Sequence, residues 1–197
     1  IHLGGSDLIF PHHENEIAQS EAANNKKLAN YWLHNGMVNV NGQKMSKSLK
    51  NFTTIRDLLN SGISPMALRY FVLTISYRKP LDFTDKGIKS STEAWKNINT
   101  ALSFFDFISD FDSTILSEDI ESKISENYIL ETKSSLGLKK EKFLNALNND
   151  LNTASAISII YEIAKPIKNF INQIQRNENN EISNKKKFYI FESWKIL

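Results

Sequence analysis

The stretch that decides the fold, residues 31–48, is YWLHNGMVNVNGQKMSKS. Two short runs in it, 31–33 and 37–40, are rich in aromatic and β-branched residues and predict strands. Asn41-Gly42 follows the second run and predicts a type I′ turn, because that turn needs positive φ at both central positions. The polar residues 44–51 then predict a loop that leaves a hairpin, which is a common location for functional side chains.

The composition of the 197-residue chain limits its class. With 41% hydrophobic and 23% charged residues it is typical of globular proteins, with room for one domain or two small ones. Only 7 glycines and 4 prolines favour helices over a turn-rich all-β fold. No run of about 18 apolar residues occurs, so no membrane-spanning helix is expected. A net charge of +2 excludes a nucleic-acid binder that relies on charge alone, and the absence of cysteine excludes disulfides and thiol nucleophiles.

The chain begins with Ile1 rather than Met, and no signal-peptide pattern follows. We therefore expect it to be an interior part of a longer polypeptide. Pro11 is placed to begin a helix that runs to about Asn24, since proline at the first helical position loses no hydrogen bond. Beyond residue 52, Thr53 or Thr54 can cap a helix near 54–59, and Ser64 followed by Pro65 can begin one near 65–74. Further capping residues and apolar periodicity predict helices near 84–108, 120–136, 138–148, 153–176 and 188–197.

Two of these predicted helices have a regular apolar face. In the helix that Thr84 caps, the face consists of Ile88, Trp95, Ile98, Leu102, Phe105 and Ile108. In the helix near 153–176 it consists of Ile157, Ile160, Tyr161, Ala164, Ile167, Ile171 and Ile174. We expect both faces to be buried, so that Leu102→Ala would cost about 2–5 kcal/mol. Pro166 is expected to kink the second helix, and the polar stretches 110–119 and 177–187 are expected to be loops.

A glycine-rich turn with a carboxylate lies near the start, at Gly4-Gly5-Ser6-Asp7. Glycines let a ligand approach the backbone closely, and Asp7 can accept hydrogen bonds from the hydroxyl groups of a ribose. A plain turn closed by an Asx-type hydrogen bond from Asp7 explains the same residues without a ligand. The residues alone leave both interpretations open.

His12 and Glu16 lie four residues apart, so a helix places the imidazole and the carboxylate on one face. The pair can supply two ligands of Zn²⁺, and Glu14 or Asp7 could orient an imidazole from behind. A surface hydrogen bond between the two side chains is the alternative. The order His-His-Glu-Asn-Glu does not match the zincin pattern His-Glu-x-x-His, and His13 points roughly 100° away from His12.

The segment Lys44-Met45-Ser46-Lys47-Ser48 places two lysines and two small hydroxyl residues on the loop after the predicted hairpin. Two ammonium groups on such a loop can offset the negative charge that develops when the α-phosphorus of a nucleotide is attacked. A solvated basic loop is the alternative for most lysine pairs. Five consecutive matching positions just after a hairpin favour the phosphate-binding interpretation.

In this order, residues 2–20, HLGGSDLIFPHHENEIAQS, and the segment 44–48 closely resemble the cysteinyl-tRNA synthetases, which are class I aminoacyl-tRNA synthetases. Leu3 stands where the family usually has another glycine. Further on, Ala67-Leu68-Arg69 is similar to the end of the family's Asp-Ala-Leu-Arg signature, and residues 150–153 resemble the Asp-Asp-x-Asn-Thr-Pro run of its helical domain. The similarity is thus specific in patches.

The resemblance implies a role in nucleotide binding for five residues. Gly5 and Asp7 would hold the ribose of ATP, which binds with Mg²⁺. Lys47 would contact the phosphates of ATP, with Lys44 and Ser46 supporting the loop, and the two lysines would be the catalytic residues.

The resemblance also implies a metal site. His12 and Glu16 would be two of four ligands of Zn²⁺, and the other two would be cysteines from earlier in the family's chain. The metal would bind the thiolate of L-cysteine, and serine would be rejected because zinc gains far more from sulfur than from a hydroxyl group.

The implied architecture is α/β followed by all-α. Residues 1–52 would be the second half of a Rossmann-like nucleotide-binding catalytic domain, 53–84 a stem-contact-like connector, and 85–197 a helical bundle of the DALR type. The implied activity is the ATP-dependent ligation of L-cysteine to tRNA(Cys) through cysteinyl-adenylate. The implied location is the cytoplasm, and no membrane is expected as a partner. The segment is not expected to be a complete enzyme on its own.

Two other functions stay open at this point. One is a cysteine ligase on the same scaffold that couples cysteine to an amino sugar, which binding of tRNA would distinguish. The other is a non-catalytic RNA-binding module. The intact segment Lys44–Ser48 disfavours this function, because such a module needs no phosphate-binding lysines. The oligomeric state does not follow from the sequence.

Overall fold

The computed structural model describes residues 1–111, 119–176 and 182–197. The chain divides into two compact units, Ile1–Lys89 and Ser90–Leu197. The first unit contains the described strands together with three short helices, and the second is helical. This agrees with the predicted order of a mixed α/β segment followed by a helical one. No helix in the described residues is long and apolar enough to cross a membrane.

The first unit begins with a strand–helix–strand segment. Strand β1 (His2–Gly5) pairs in parallel with β2 (Trp32–Asn35), and helix α1 (Glu14–Asn24) lies between them in the chain. A 3₁₀ turn (Ser6–Leu8) and a π-helical turn (Ile9–His13) lead from β1 into α1. The expected helix is present, but α1 begins at Glu14 and Pro11 lies in the π-helical turn before it. Helix α1 contains no buried residue.

The predicted hairpin is confirmed. Strand β3 (Val38–Val40) pairs antiparallel with β4 (Gln43–Lys44), and the turn residues Asn41 and Gly42 both have positive φ, 50° and 78°. The third strand of this sheet, β5 (Leu81–Phe83), pairs in parallel with β3. It also supplies Asp82, whose Oδ1 accepts a hydrogen bond of 2.8 Å from the Gly42 amide.

Two short helices of the first unit begin at the predicted caps. Thr54 caps α2 (Ile55–Asn60), where its side chain and that of Asp57 form a reciprocal capping box. Ser64 and Pro65 open α3 (Pro65–Leu73).

The second unit consists of helices whose apolar faces meet in one core. Helix α4 (Asp85–Leu102) begins in the first unit and is followed by α5 (Phe104–Phe111), α6 (Asp119–Ser122), α7 (Glu126–Asn148), α8 (Thr153–Gln175) and α9 (Asn184–Ile196). The largest fully buried apolar side chains are Phe104, Phe170, Ile108, Leu136, Ile167, Ile171 and Ile190. On the predicted face of α8, Ala164, Ile167, Ile171 and Ile174 are buried as expected.

The prediction of the buried face for the helix at 84–108 is wrong at two positions. Leu102 and Phe105 are 41% and 45% exposed, whereas Ala101 and Phe104 are fully buried. The buried residues Ile98, Ala101, Phe104 and Ile108 follow one another at spacings of three, three and four, so the buried face passes through Ala101 and Phe104 and not through the next residue in each case. Leu102 is the last residue of α4, before the turn at Ser103 that separates α4 from α5. Leu102→Ala is consequently not expected to produce the large loss of stability that a buried leucine would.

Helix α7 is continuous where the sequence predicts two helices. It runs through Gly137, around which the space is open. A glycine inside a helix lowers its stability by about 1 kcal/mol relative to alanine but does not end it when the flanking turns pack well. Of the stretches expected to be loops, 112–118 and 177–181 lie outside the described residues, and the lysines 185–187 lie in the first turns of α9 rather than in a loop.

Candidate functional site

A cluster of imidazole and indole rings lies where β1 and β2 meet the start of α1. The register pairs His2 with Trp32 and Gly4 with His34, so all four lie on one face of the two strands. The His2 and Trp32 rings are 4.6 Å apart, and the Trp32 and His34 rings are stacked at 6.3 Å. His13, 3% exposed, fills the space above Gly4. We call His2, His13, Trp32 and His34 the ring cluster.

Gly4 is required by the ring cluster. A Cβ atom at this position would lie 2.6 Å from Cε1 of His13. The His13 ring is also held by a hydrogen bond of 2.8 Å between its Nδ1 and Nε2 of His34. Burial lowers the pKa of His13, and the charges of the neighbouring His2 and His34 lower it further. A lowered pKa favours the neutral imidazole, in which one ring nitrogen donates a hydrogen bond and the other accepts one.

Glu16 lies between two imidazoles. Its Oε2 is 3.0 Å from Nε2 of His2, and its Oε1 is 3.5 Å from Nε2 of His12, one helical turn away. The structure thus brings the predicted pair His12 and Glu16 together, with the side chain of His12 58% exposed. The cleft beside them, about 350 Å³, is lined by His2, Glu16, Gln19, Ser20 and Leu28.

The donor set around Glu16 suits a metal ion. Glu16 Oε2 is buried, makes no hydrogen bond, and lies 3.0 Å from Nε2 of His2. His2, His13 and Glu16 offer three ligand atoms within 4.8 Å of one another. Imidazole nitrogen and carboxylate oxygen are both ligands of Zn²⁺. The residues therefore fit a zinc ion. This set does not include His12, the predicted partner of Glu16, whose Nε2 lies 3.5 Å from Oε1 of Glu16.

Gly5 and Asp7 lie at the end of β1. Asp7 is exposed in the 3₁₀ turn, and its Oδ1 comes so close to Gly5 that a Cβ there would lie 2.4 Å from it. Both the glycine and the accessible carboxylate expected from the turn motif are thus present side by side.

The predicted loop is closed by a side chain that the sequence does not single out. The amide of Asn51 accepts a hydrogen bond of 2.8 Å from the Ser46 N–H and donates one of 3.1 Å to the Lys44 carbonyl. Lys44 and Lys47 are exposed, and Nζ of Lys47 lies 5.8 Å from the centre of the Phe52 ring.

Some of these residues could not be found by motif. The alternation of Trp32 and His34 along a strand is a weak signal for a shared face. Their contact with His2 and His13 depends on a strand register that no local pattern specifies. Asn51 carries no signal except that it is the last residue of the predicted polar loop 44–51.

Comparison with protein families gives two matches. The model described as "tRNA synthetases class I (C) catalytic domain" matches residues 1–93, and the DALR domain model matches residues 142–194. Among solved structures, the ternary complex of Agrobacterium radiobacter K84 agnB2 LeuRS-tRNA-LeuAMS is similar, with a TM-score of 0.61 at 17% identity, over 98% of this chain and 25% of that one. At that identity the similarity concerns the fold alone.

Curated relatives match over the whole chain. Proteins named "Cysteine--tRNA ligase" from Prochlorococcus marinus subsp. pastoris (strain CCMP1986 / NIES-2087 / MED4) and from strain MIT 9515 are 68% identical, and one from strain NATL1A is 52% identical. The chain spans about 40% of the length of the first two. The similarity covers 100% of the chain and agrees with both domain matches, and the chain belongs to the cysteinyl-tRNA synthetase family.

Proposed function

We propose that this chain takes part in the ATP-dependent ligation of L-cysteine to tRNA(Cys) through cysteinyl-adenylate. The observation that carries the proposal is the closed loop Lys44–Ser48, which leaves the side chains of Lys44 and Lys47 exposed on a fixed backbone. The 68% identity to proteins named cysteine–tRNA ligases supports cysteine as the amino acid substrate.

The two lysines would act on the phosphates of ATP, which binds with Mg²⁺. Their charges would stabilise the negative charge that grows at the α-phosphate as the cysteine carboxylate attacks and pyrophosphate leaves. Ser46 supports the loop, because its Oγ lies 3.1 Å from Ser48 Oγ and accepts from the Leu49 amide at 3.3 Å. Asp7, exposed beside Gly5, would accept hydrogen bonds from the ribose.

His12 and Glu16 would hold Zn²⁺ on the helical face that they share. The two further ligands would be cysteines from earlier in the family's chain, since residues 1–197 contain none. When bound, the ion would supply a soft partner for the substrate thiolate and so select cysteine over serine. His2 would keep the Glu16 carboxylate in place through its approach to Oε2.

The domain assignment is part of the proposal. The parallel β1–α1–β2 segment supports a second half of a Rossmann-like domain in residues 1–52. Residues 53–84 would be the stem-contact-like connector, and 85–197 the bundle. The division of the structure after Lys89 lies close to that boundary. The reaction would take place in the cytoplasm.

A hybrid enzyme tests the proposal. Residues 1–197 would replace the matching 40% of the relative from P. marinus strain MED4. We expect cysteine-dependent ATP–pyrophosphate exchange and formation of cysteinyl-tRNA, with serine inactive. A folded hybrid that activates another amino acid, or that charges an amino sugar instead of tRNA, would contradict the proposal.

A further inference from the structure

We propose that Asn51 is a positioning residue that sets the geometry of Lys44 and Lys47 by clamping the loop between them. The proposal rests on the proposed function, because it concerns the same two lysines. No motif expected from the sequence includes Asn51, and both of its hydrogen bonds within the loop are to backbone groups. Its action is on the loop backbone.

The clamp consists of two hydrogen bonds in opposite directions. Asn51 Oδ1 accepts from the Ser46 N–H at 2.8 Å, and Asn51 Nδ2 donates to the Lys44 carbonyl at 3.1 Å. These two backbone groups flank Met45, and its own amide donates to the Val38 carbonyl of β3 at 3.0 Å. One side-chain amide thus satisfies a donor and an acceptor at the point where the loop leaves the sheet.

The chain reverses so that Asn51 can reach back. The Lys50 amide donates to the Lys47 carbonyl at 3.2 Å, and Lys50 has a left-handed φ of 52°. Left-handed backbone is unfavourable for a residue with a Cβ atom and persists where surrounding contacts impose it. The hydrogen bonds of Asn51 are such contacts, since they close the segment from residue 44 to residue 51.

The consequence concerns the lysines. A lysine has a flexible four-carbon stem, so the position of its ammonium group is set first by where the backbone begins that stem. Asn51 fixes the backbone at Lys44 and at Ser46, the residue before Lys47. This places the two charges before ATP arrives, which lowers the reorganisation needed in the transition state. Phe52, next in the chain, adds a ring 5.8 Å from the Lys47 ammonium.

The first test uses hydrogen exchange in the 197-residue chain and does not depend on activity. Asn51→Ala removes both hydrogen bonds, so we expect the Ser46 amide to lose its protection, while the amides of α3 keep theirs. Asn51→Asp retains an acceptor for Ser46 but no donor for Lys44, and it should keep most of the Ser46 protection. An unchanged Ser46 exchange rate in Asn51→Ala would overturn the clamp.

The second test uses ATP–pyrophosphate exchange in the hybrid enzyme. We expect Asn51→Ala to lower kcat by roughly 10- to 100-fold, the range that a small misplacement of a reacting group produces. The KM for cysteine should stay unchanged, as should the activity of the control Asn60→Ala, at an exposed residue of α2. Asn51→Asp should also lose kcat, because the Lys44 carbonyl has no donor.

A double-mutant cycle separates positioning from general stability. If Asn51 acts through Lys47, Asn51→Ala should have far less effect in a Lys47→Ala background than alone. Equal effects in both backgrounds would overturn the positioning role, and so would a kcat of Asn51→Ala equal to that of the unmodified hybrid. An unmodified hybrid without any exchange activity would contradict the proposed function instead, while the hydrogen-exchange result would still decide whether the clamp exists.

Discussion

The two units of the molecule bury different kinds of side chain. In the second unit the largest fully buried residues are aromatic and aliphatic, with Phe104 and Phe170 the two largest of them. In the first unit the residues of interest are polar: His13 is buried among other rings, and the lysines of the loop are exposed. The comparison indicates that packing determines the second unit, whereas hydrogen bonds and ring contacts arrange the site in the first.

The largest expected effect tests the core of the second unit. Phe104 is fully buried against Phe170 and Trp194, with ring distances of 6.1 and 6.4 Å. Phe104→Ala should lower the free energy of unfolding by about 3–5 kcal/mol. The matched control is Phe105→Ala, whose ring is 45% exposed and stacked on Trp194, and it should cost about 1 kcal/mol. Chemical denaturation measures both, and equal losses would contradict the burial of Phe104 and the exposure of Phe105.

The next effect tests the first unit through activity instead of stability. In the hybrid enzyme, Lys47→Ala should slow ATP–pyrophosphate exchange about 100-fold, because a preorganised charge at the phosphate is worth about 3 kcal/mol in the transition state. The midpoint of unfolding should not change, since Lys47 is exposed. Lys86→Ala, at an exposed lysine of α4, is the control and should leave the exchange rate as it is. An unchanged exchange rate in Lys47→Ala would contradict the proposed role of the loop in stabilising the transition state.

A pair of glycine substitutions compares the packing of the two units directly. Gly4→Ala puts a methyl group 2.6 Å from the buried ring of His13 and should destabilise the first unit by about 1–3 kcal/mol. Gly137→Ala meets open space inside α7 and should stabilise the second unit by about 0.5–1 kcal/mol. Native-state hydrogen exchange can follow each unit by itself. If Gly4→Ala does not lower the stability of the first unit, the ring cluster is loosely packed.

The smallest effect is a pH dependence in the first unit. Hydrogen bonds from the Thr54 side chain and then from its backbone amide lower the pKa of Asp57. A carboxyl with a depressed pKa in the folded state adds stability above its unfolded pKa, about 3.9, and that stability is lost as the pH falls through the folded value. The start of α2 should therefore loosen in acid, which an NMR titration of the Thr54 amide would show. Asp57→Asn should abolish the transition. If the transition persists in this variant, a group other than Asp57 causes it.

Much of the fold follows from short-range signals in the sequence. Asn41-Gly42 predicts the hairpin turn, and the structure has positive φ at both residues. Thr53 or Thr54 and the pair Ser64-Pro65 predict the starts of α2 and α3, and the structure has Thr54 as the cap of α2 and Pro65 as the first residue of α3. These predictions succeed because a turn or a cap is decided by three or four neighbouring residues, all of them visible in the sequence.

Predictions that depend on packing between helices fail. For the helix at 84–108 the sequence predicts Leu102 and Phe105 on the buried face, whereas the structure buries Ala101 and Phe104, one residue earlier in each case. A second error occurs at Gly137, where a residue that weakens helices does not end α7. In both places the outcome depends on packing between helices, which outweighs local propensity by several kcal/mol.

The sequence by itself determined the family resemblance, the hairpin with its loop of Lys44–Ser48, and the pairing of His12 with Glu16, which are 3.5 Å apart one helical turn from each other. Only the tertiary structure decided that His2 approaches the other oxygen of Glu16, that His34 holds His13 over Gly4, and that Asn51 closes the loop. The physical reason for the first group is local: helical periodicity and turn conformation act within a few residues. The second group depends on the register of β1 with β2, and on a side chain reaching back across its own loop. Such contacts form only where the folded backbone brings distant donors and acceptors within hydrogen-bond distance.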